Sequence, residues 1–279
     1  MPSNSKNMYY IEMFKKQYNT IVFIILVFIL LIALLMYTKQ TPPSIDTIWV
    51  INLDKDVERM TIIMEQNKYL PVQIQRWKAA YGKEEIRDDI IKDGVMDILS
   101  RSPNNEENEK SKKVLLRAGE IGCWLSHKRL LSYLSKQAYP ANYGHLICED
   151  DIIIDKQFTT KWNTIKLEIP SNWDIVYFGI GGVHGDRISK NVVRWKNDIE
   201  AANWGTHCYL VKNSSITKIL DKLILMAAPI DVQYYKMLGN LNIYIVDPPL
   251  TLPSEEFKSS IDSQELRKST FEFQKSKNL

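Results

Sequence analysis

Three consecutive carboxylates, Glu149, Asp150 and Asp151, lie between the apolar residues 146–148 and the three isoleucines 152–154. Like charges at this spacing repel, and an ionised carboxylate taken from water without a partner is costly. The triplet is therefore either a solvated turn or the seat of a cation. Residues i and i+2 of a strand share a face, so the spacing predicts Glu149 and Asp151 converging on one ligand, with Asp150 turned away. Carboxylates and water suit Mg²⁺ or Mn²⁺, typically held by one or two protein carboxylates plus substrate phosphates. The chemistry on offer is metal-assisted binding of a diphosphate.

The elements that must position these groups alternate along the chain. Residues 48–53 (IWVINL) form a short run rich in β-branched residues, followed by a polar, helix-compatible stretch over 56–68 and a second strand over 72–79. Helical spacing of Ile121, Leu125, Leu130, Leu131 and Leu134 predicts a helix over 118–137. Strands are predicted at 146–148, 174–180, 208–211 and 243–246, with a helix over 214–225. Residues 83–113 are highly charged and read as a flexible excursion. Strands alternating with helices imply a largely parallel sheet covered on both faces, in which ligands collect at the carboxyl ends of the strands.

The chain has 279 residues, 45% hydrophobic and 25% charged, with a net charge of +3. That charge is too small, and too evenly spread, for a nucleic-acid binder. Residues 20–37 (TIVFIILVFILLIALLMY) carry no charge and, as a helix, would span about 27 Å, close to the hydrocarbon thickness of a bilayer. No Ala-x-Ala-like site follows them, which favours an uncleaved anchor over a signal peptide. Lys6, Lys15 and Lys16 precede the span and Lys39 alone closely follows it, so the positive-inside rule keeps the N-terminus cytoplasmic. The expected organisation is a cytoplasmic tail (1–19), a transmembrane anchor (20–37), a stem (38–46), a domain (47–262) and a polar tail (263–279). The protein is then a single-pass type II membrane protein with its body lumenal (ER- or Golgi-like) or extracytoplasmic. Cys123, Cys148 and Cys208 show neither zinc-like pairing nor a disulfide framework and read as buried thiols. Asn213-Ser214-Ser215 is an N-glycosylation sequon.

An ordered series of short motifs runs through the body: VINLD with Arg59 five residues beyond it, GEIGCWLSH over 119–127, EDD at 149–151, WDIVY over 173–177, GTHCY over 205–209 and Pro229-Ile230-Asp231. This series resembles glycosyltransferase family 25, which includes lipooligosaccharide and procollagen galactosyltransferases. GEIGC-x-x-SH followed by EDD carries most of the specificity. The resemblance covers about 48–262; the closing segment 259–262 fits more loosely, and 83–113 matches no motif. It implies a glycosyltransferase A-type (Rossmann-like) fold and a UDP-sugar donor, often UDP-galactose. It further implies a divalent metal (Mn²⁺ or Mg²⁺), a glycan or glycoprotein acceptor and inversion at the anomeric carbon.

On that resemblance Asp151 is the first choice of metal ligand, with Glu149 assisting through water or ribose. His207 is a further metal or phosphate ligand, or a satisfied core histidine. Asn52 would read uracil or ribose. Arg59 is either a fixed cation for phosphate or a helix salt-bridge partner. Asp150, Glu120, Ser126 and His127 border the donor pocket, although Glu120 also suits a helix cap. Asp231 is the candidate base for the acceptor hydroxyl, or else an N-cap. Two other classes use the same residues. A non-catalytic nucleotide- or glycan-binding relative would keep the fold without turnover. A metal-dependent phosphohydrolase would need further ligands, from a chain with four histidines.

Overall fold

The computed structural model describes residues 4–37, 41–85, 116–196, 203–254 and 257. Most of the charged excursion, residues 38–40 of the stem, the segment 259–262 and the tail 263–279 lie outside them. The chain divides into two compact units, Met1–Thr41 and Pro42–Leu279.

The first unit is one helix, α1 (Asn4–Tyr37), containing a 21-residue stretch, Glu12–Ile32, long and apolar enough to cross a membrane. Its side chains over that stretch, among them Phe23, Ile24, Phe28 and Leu30, are exposed within the unit.

The second unit is built on an eight-stranded sheet. Its elements in chain order are β1 (Thr47–Asn52), α2 (Val57–Glu65), β2 (Ile74–Lys78), α3 (Gly82–Glu85), α4 (Ala118–Leu134), β3 (Gly144–Glu149), β4 (Ile152–Ile154) and α5 (Phe158–Ile165). There follow β5 (Ile175–Gly181), β6 (Gly185–Arg187), β7 (Val192–Trp195), β8 (Trp204–Lys212), α6 (Ile216–Leu220), α7 (Ile230–Lys236), β9 (Ile243–Val246) and β10 (Thr251–Pro253). The strand order is β2-β1-β3-β8-β5-β9-β7-β6, and β10 pairs separately with β4. In the large sheet β7 and β8 run against the other strands, so the sheet is mixed and mostly parallel.

Alternation along the strands builds two cores. Trp49, Ile51, Ile147, Ile175, Tyr177, Tyr209 and Val211 pack with α4, α6 and α7 on one face. Ile48, Val50, Leu146, Cys148, Val176, Phe178, Cys208 and Leu210 pack with α2 and α5 on the other. Both faces are covered, which is why the strands read as continuous apolar runs rather than as alternating ones. The end of the expected stem already belongs to this unit. Ile45 is buried, and Asp46 both donates to the Gly144 carbonyl (2.9 Å) and accepts from its N–H (2.7 Å).

The predicted helix over 214–225 is α-helical only over α6, with a 3-10 turn at Asn213–Ser215 leading into it. β4, β6, β7 and β10 were not read from the sequence. Asp174 of the WDIVY motif has a structural role at the start of β5. It accepts from Ser215 (2.5 Å) and the Asn242 N–H (2.8 Å), joining β5 to α6 and β9.

Helix α4 approaches the 80–82 segment at backbone distance, which dictates glycine at two places. A Cβ on Gly82 would stand 1.7 Å from the Ala118 carbonyl oxygen, and one on Gly122 would stand 2.7 Å from that of Ala80. Overpacking of this kind costs roughly 1–3 kcal/mol. Gly82→Ala is therefore expected to lower the urea midpoint by that equivalent or more, whereas Gly239→Ala, with nothing within 4 Å, leaves it nearly unchanged. Equal effects from the two variants would contradict the packing described.

Candidate active site

β1 and β3 lie side by side and parallel, with Ile51 opposite Glu149, so their carboxyl ends open on the same edge of the sheet. There a cleft of about 320 Å³ is lined by Glu149, Asp150, Asp151, Cys123, Ser126 and His127. The cations Lys55, Arg59, Lys83 and Arg117 line it as well.

The strand stops at Glu149, and Asp150 and Asp151 form a turn before β4. Strand periodicity therefore ends two residues short of Asp151, and the expected same-side arrangement is replaced by a division of the triplet. Asp150 and Asp151 both face Arg59, whose Nη1 lies 3.2 Å from Asp150 Oδ1 and 3.5 Å from Asp151 Oδ2. Glu149 faces α4 and β8. The turn is held from outside by the Ser254 N–H, which donates to the Asp151 carbonyl (2.7 Å). Gln66 donates to the Ile152 carbonyl (3.2 Å) and accepts from the Ile154 N–H (2.7 Å).

Asn52 is buried and does not line the cleft. Its amide nitrogen donates to Asp150 Oδ2 (2.7 Å) and to the Asp56 carbonyl (2.9 Å), and its oxygen accepts from Arg76 Nε (2.8 Å). With both amide atoms engaged, Asn52 braces Asp150. Arg59 is shared between two carboxylates rather than paired with Glu58 or Asp56, and the Phe257 ring lies 5.1 Å from its guanidinium carbon. Burial, with the Asp151 charge beside it, pushes the Asp150 carboxyl up to about 6, against the opposing pull of Asn52 and Arg59.

Glu149 sits among polar groups from two elements. Its Oε1 accepts from Thr206 (2.7 Å) and lies 3.7 Å from His127 Nε2, while Oε2 lies 3.8 Å from His207 Nδ1. Burial raises its carboxyl, but His127 and His207 outweigh that and hold it well below the usual glutamate range. His127 is fully buried, with Nδ1 2.9 Å from the Tyr209 hydroxyl, which lies 3.1 Å from that of Tyr234. Two pieces of the sequence pattern thereby acquire causes: GTHCY supplies Thr206 to Glu149 and Tyr209 to His127. Gly205 takes φ +96°, a backbone conformation that suits glycine.

The remaining predicted residues make contacts that tie elements together. Ser126 lines the cleft, donates to the Gly122 carbonyl (2.6 Å) and accepts the Ala80 N–H (2.8 Å), tying α4 to the loop after β2. Glu120 caps α4 by accepting the Arg117 N–H (2.5 Å) and does not line the cleft. Asp231 also stands outside the lining. Its oxygens accept the N–H groups of Gly205 (2.9 Å) and Val232 (2.8 Å), and the N-cap of α7 is Pro229. Asp231 thus joins α7 to the start of β8. The sequon residue Asn213 donates its amide to the carbonyls of Tyr139 (3.0 Å) and Pro140 (3.2 Å), an arrangement that a glycan on that nitrogen would disrupt.

Sequence reasoning missed Thr206, Arg76 and Cys123 as members of the site. Thr206 and Cys123 were visible inside motifs, but nothing in one dimension aims them at Glu149.

The raised Asp150 carboxyl has a pH signature. A carboxyl whose folded pKa exceeds its unfolded value binds more protons in the native state, so stability falls as pH rises between the two values. This carboxyl alone therefore contributes a loss of stability as pH rises from 3.8 to about 6 in the metal-free protein. Asp150→Asn is expected to flatten that slope in urea titrations, and an unchanged slope would count against the assignment.

The family model described as "Glycosyltransferase family 25 (LPS biosynthesis protein)" matches residues 45–233. Among curated proteins, a "Glycosyltransferase 25 family member" of Drosophila pseudoobscura pseudoobscura is 27% identical over 143 residues, 50% of this chain and 21% of that protein. "Procollagen galactosyltransferase 1" of Danio rerio is 24% identical over 157 residues, 54% of this chain and 24% of that protein. The chain thus matches about a fifth to a quarter of the length of these relatives. A solved structure, 4-diphosphocytidyl-2C-methyl-D-erythritol synthase from Anaerococcus prevotii DSM 20548, aligns over 82% of this chain and 79% of that one. Its identity is 10% and its TM-score 0.32, too low to assign a shared fold. The family model spans both strands that open on the cleft, the acidic turn, the GEIGCWLSH helix and the β8 residues that meet Glu149; the chain belongs to glycosyltransferase family 25.

Proposed function

We propose that this chain is a membrane-anchored, metal-dependent glycosyltransferase that transfers a sugar from a UDP-sugar to a glycan or protein acceptor, with inversion. Galactose is the proposed sugar, in keeping with the printed name of the Danio rerio relative. The observation that supports this most directly is the pair Asp150 and Asp151 at the end of β3, sharing one guanidinium in a cleft lined by three further cations.

Two carboxylates against one arginine leave an excess of negative charge, and burial together with the Asp151 charge lifts the Asp150 carboxyl. An all-oxygen donor pair of this kind suits Mn²⁺ or Mg²⁺, with Asp151 as the direct ligand and Asp150 held in place by Asn52. A metal held by these carboxylates would supply positive charge against that developing on a departing diphosphate. The chain's own cations do the rest: Arg59 orients the acidic pair, and Lys55, Lys83 and Arg117 offer charge to the phosphates. Asp231 enters this scheme by setting the backbone at Gly205, and through it Thr206 and Glu149, rather than as the base.

The full chain, purified in detergent, is expected to release UDP from UDP-galactose or a related donor in the presence of Mn²⁺ and an acceptor, and EDTA is expected to abolish release. Asp151→Asn should lower kcat/KM by about 100-fold or more, in line with losing an electrostatic stabiliser of the leaving group. Folded protein that turns over no UDP-sugar, yet binds UDP equally well with EDTA or with Asp151→Asn, would instead identify a non-catalytic relative. For the anchor, detergent but not high salt should release the chain from membranes.

A further inference from the structure

Glu149 turns away from its acidic neighbours and meets a different set of donors. Cys123 and His127 stand four residues apart on α4, which puts them on one face of the helix, a turn apart. Glu149 reaches that face from the end of β3. The Cys123 sulfur, a ring nitrogen of His127 and a carboxylate oxygen of Glu149 all lie within 4.8 Å of one another.

The histidine shows that the cluster is aimed at something. His127 is completely buried, and its Nδ1 is engaged by the Tyr209 hydroxyl. Among the described residues its Nε2 has no hydrogen-bond partner, and it lies 3.7 Å from Glu149 Oε1. A ring orientated through one nitrogen while the other points at a carboxylate and a thiol is how metal-ligating histidines are held. All three residues line the cleft, so a fourth position would open toward it.

We propose that Cys123, His127 and Glu149 bind a zinc-class divalent cation, at a site separate from the oxygen-only pair Asp150 and Asp151. Sulfur, imidazole and carboxylate together suit Zn²⁺, whereas Mg²⁺ and Mn²⁺ favour oxygen ligands. Three protein ligands with one open position is the pattern of zinc sites that keep a place for water or substrate. Uptake breaks the Cys123 S–H bond, forms a sulfur–metal bond and releases the proton to solvent. Thr206 sits on the sheet side of the cluster, 2.7 Å from Glu149 Oε1 and 3.8 Å from the Cys123 sulfur, and steadies both. The site does not depend on the donor reading, because neither Asp150, Asp151 nor Arg59 takes part.

Cobalt provides the test. The full chain in detergent, stripped with a chelator and titrated with Co²⁺, should develop a thiolate-to-cobalt charge-transfer band in the near ultraviolet, with visible bands of a four-coordinate ion. Zn²⁺ should bleach the signal, and equimolar Mg²⁺ or Mn²⁺ should not. Cys123→Ser should lose the charge-transfer band while unfolding cooperatively in urea. His127→Gln should weaken Co²⁺ binding by more than the roughly 10–100-fold that loss of an outer-shell partner costs. Asp151→Asn should keep the cobalt spectrum while losing Mn²⁺-dependent turnover, so failure of either site can be told from failure of the other. Cys148 and Cys208, whose sulfurs lie 3.1 Å apart on the opposite face of the sheet, are the control thiols. Folded wild-type protein without the band would overturn the proposal. A band that survives Cys123→Ser and vanishes in a Cys148→Ser/Cys208→Ser variant would overturn it too.

Discussion

Three negative charges in a row at the end of a buried strand set the terms for everything around them. Left together in a low-dielectric edge they would repel one another and pay desolvation as well. The structure separates them by ending β3 at Glu149 and turning the chain at once. Asp150 and Asp151 then share Arg59, with Asn52 as a second donor to Asp150, while Glu149 is handed to Thr206 and the two imidazoles. Arg76, Gln66, Ser254 and Tyr209 all serve this partition at one remove, by fixing a donor or by clamping the turn.

Such a partition needs close and reproducible distances, and α4 provides them. The helix comes near enough to the segment after β2 that side chains are excluded at Gly82 and Gly122, and Ser126 closes the contact by accepting the Ala80 N–H. From that seat α4 presents Cys123 and His127 to the end of β3. On the far side Trp124 donates its indole N–H to Gln233 of α7, and Asp231 of α7 holds Gly205 at the mouth of β8. Many pieces of the motif series therefore support one another around one acidic turn.

Much of this was legible from residue order. The apolar runs at 48–53, 146–148 and 174–180 marked central strands, the spacing of Ile121, Leu125 and Leu130 marked α4, and the carboxylate triplet marked the edge where a cation belongs. The strand-period argument then failed at a single point, because β3 ends at Glu149 and the two aspartates lie in the turn beyond it. Asn52, Glu120 and Asp231 were visible as polar residues at element ends, yet residues of that kind cap and brace as often as they bind. Only the partners of their side chains distinguish the two.

Sequence alone determined the family, the α/β alternation, the apolar N-terminal helix and the concentration of acid at one strand end. These follow from local composition, periodicity and order, which a linear chain carries explicitly. Tertiary structure alone decided how the acid is divided, since Arg59, His127, Thr206 and Asn52 come from segments 22 to 98 residues away from their carboxylate partners. Charge separation acts through space, and the distances that govern it do not exist until the sheet has been assembled.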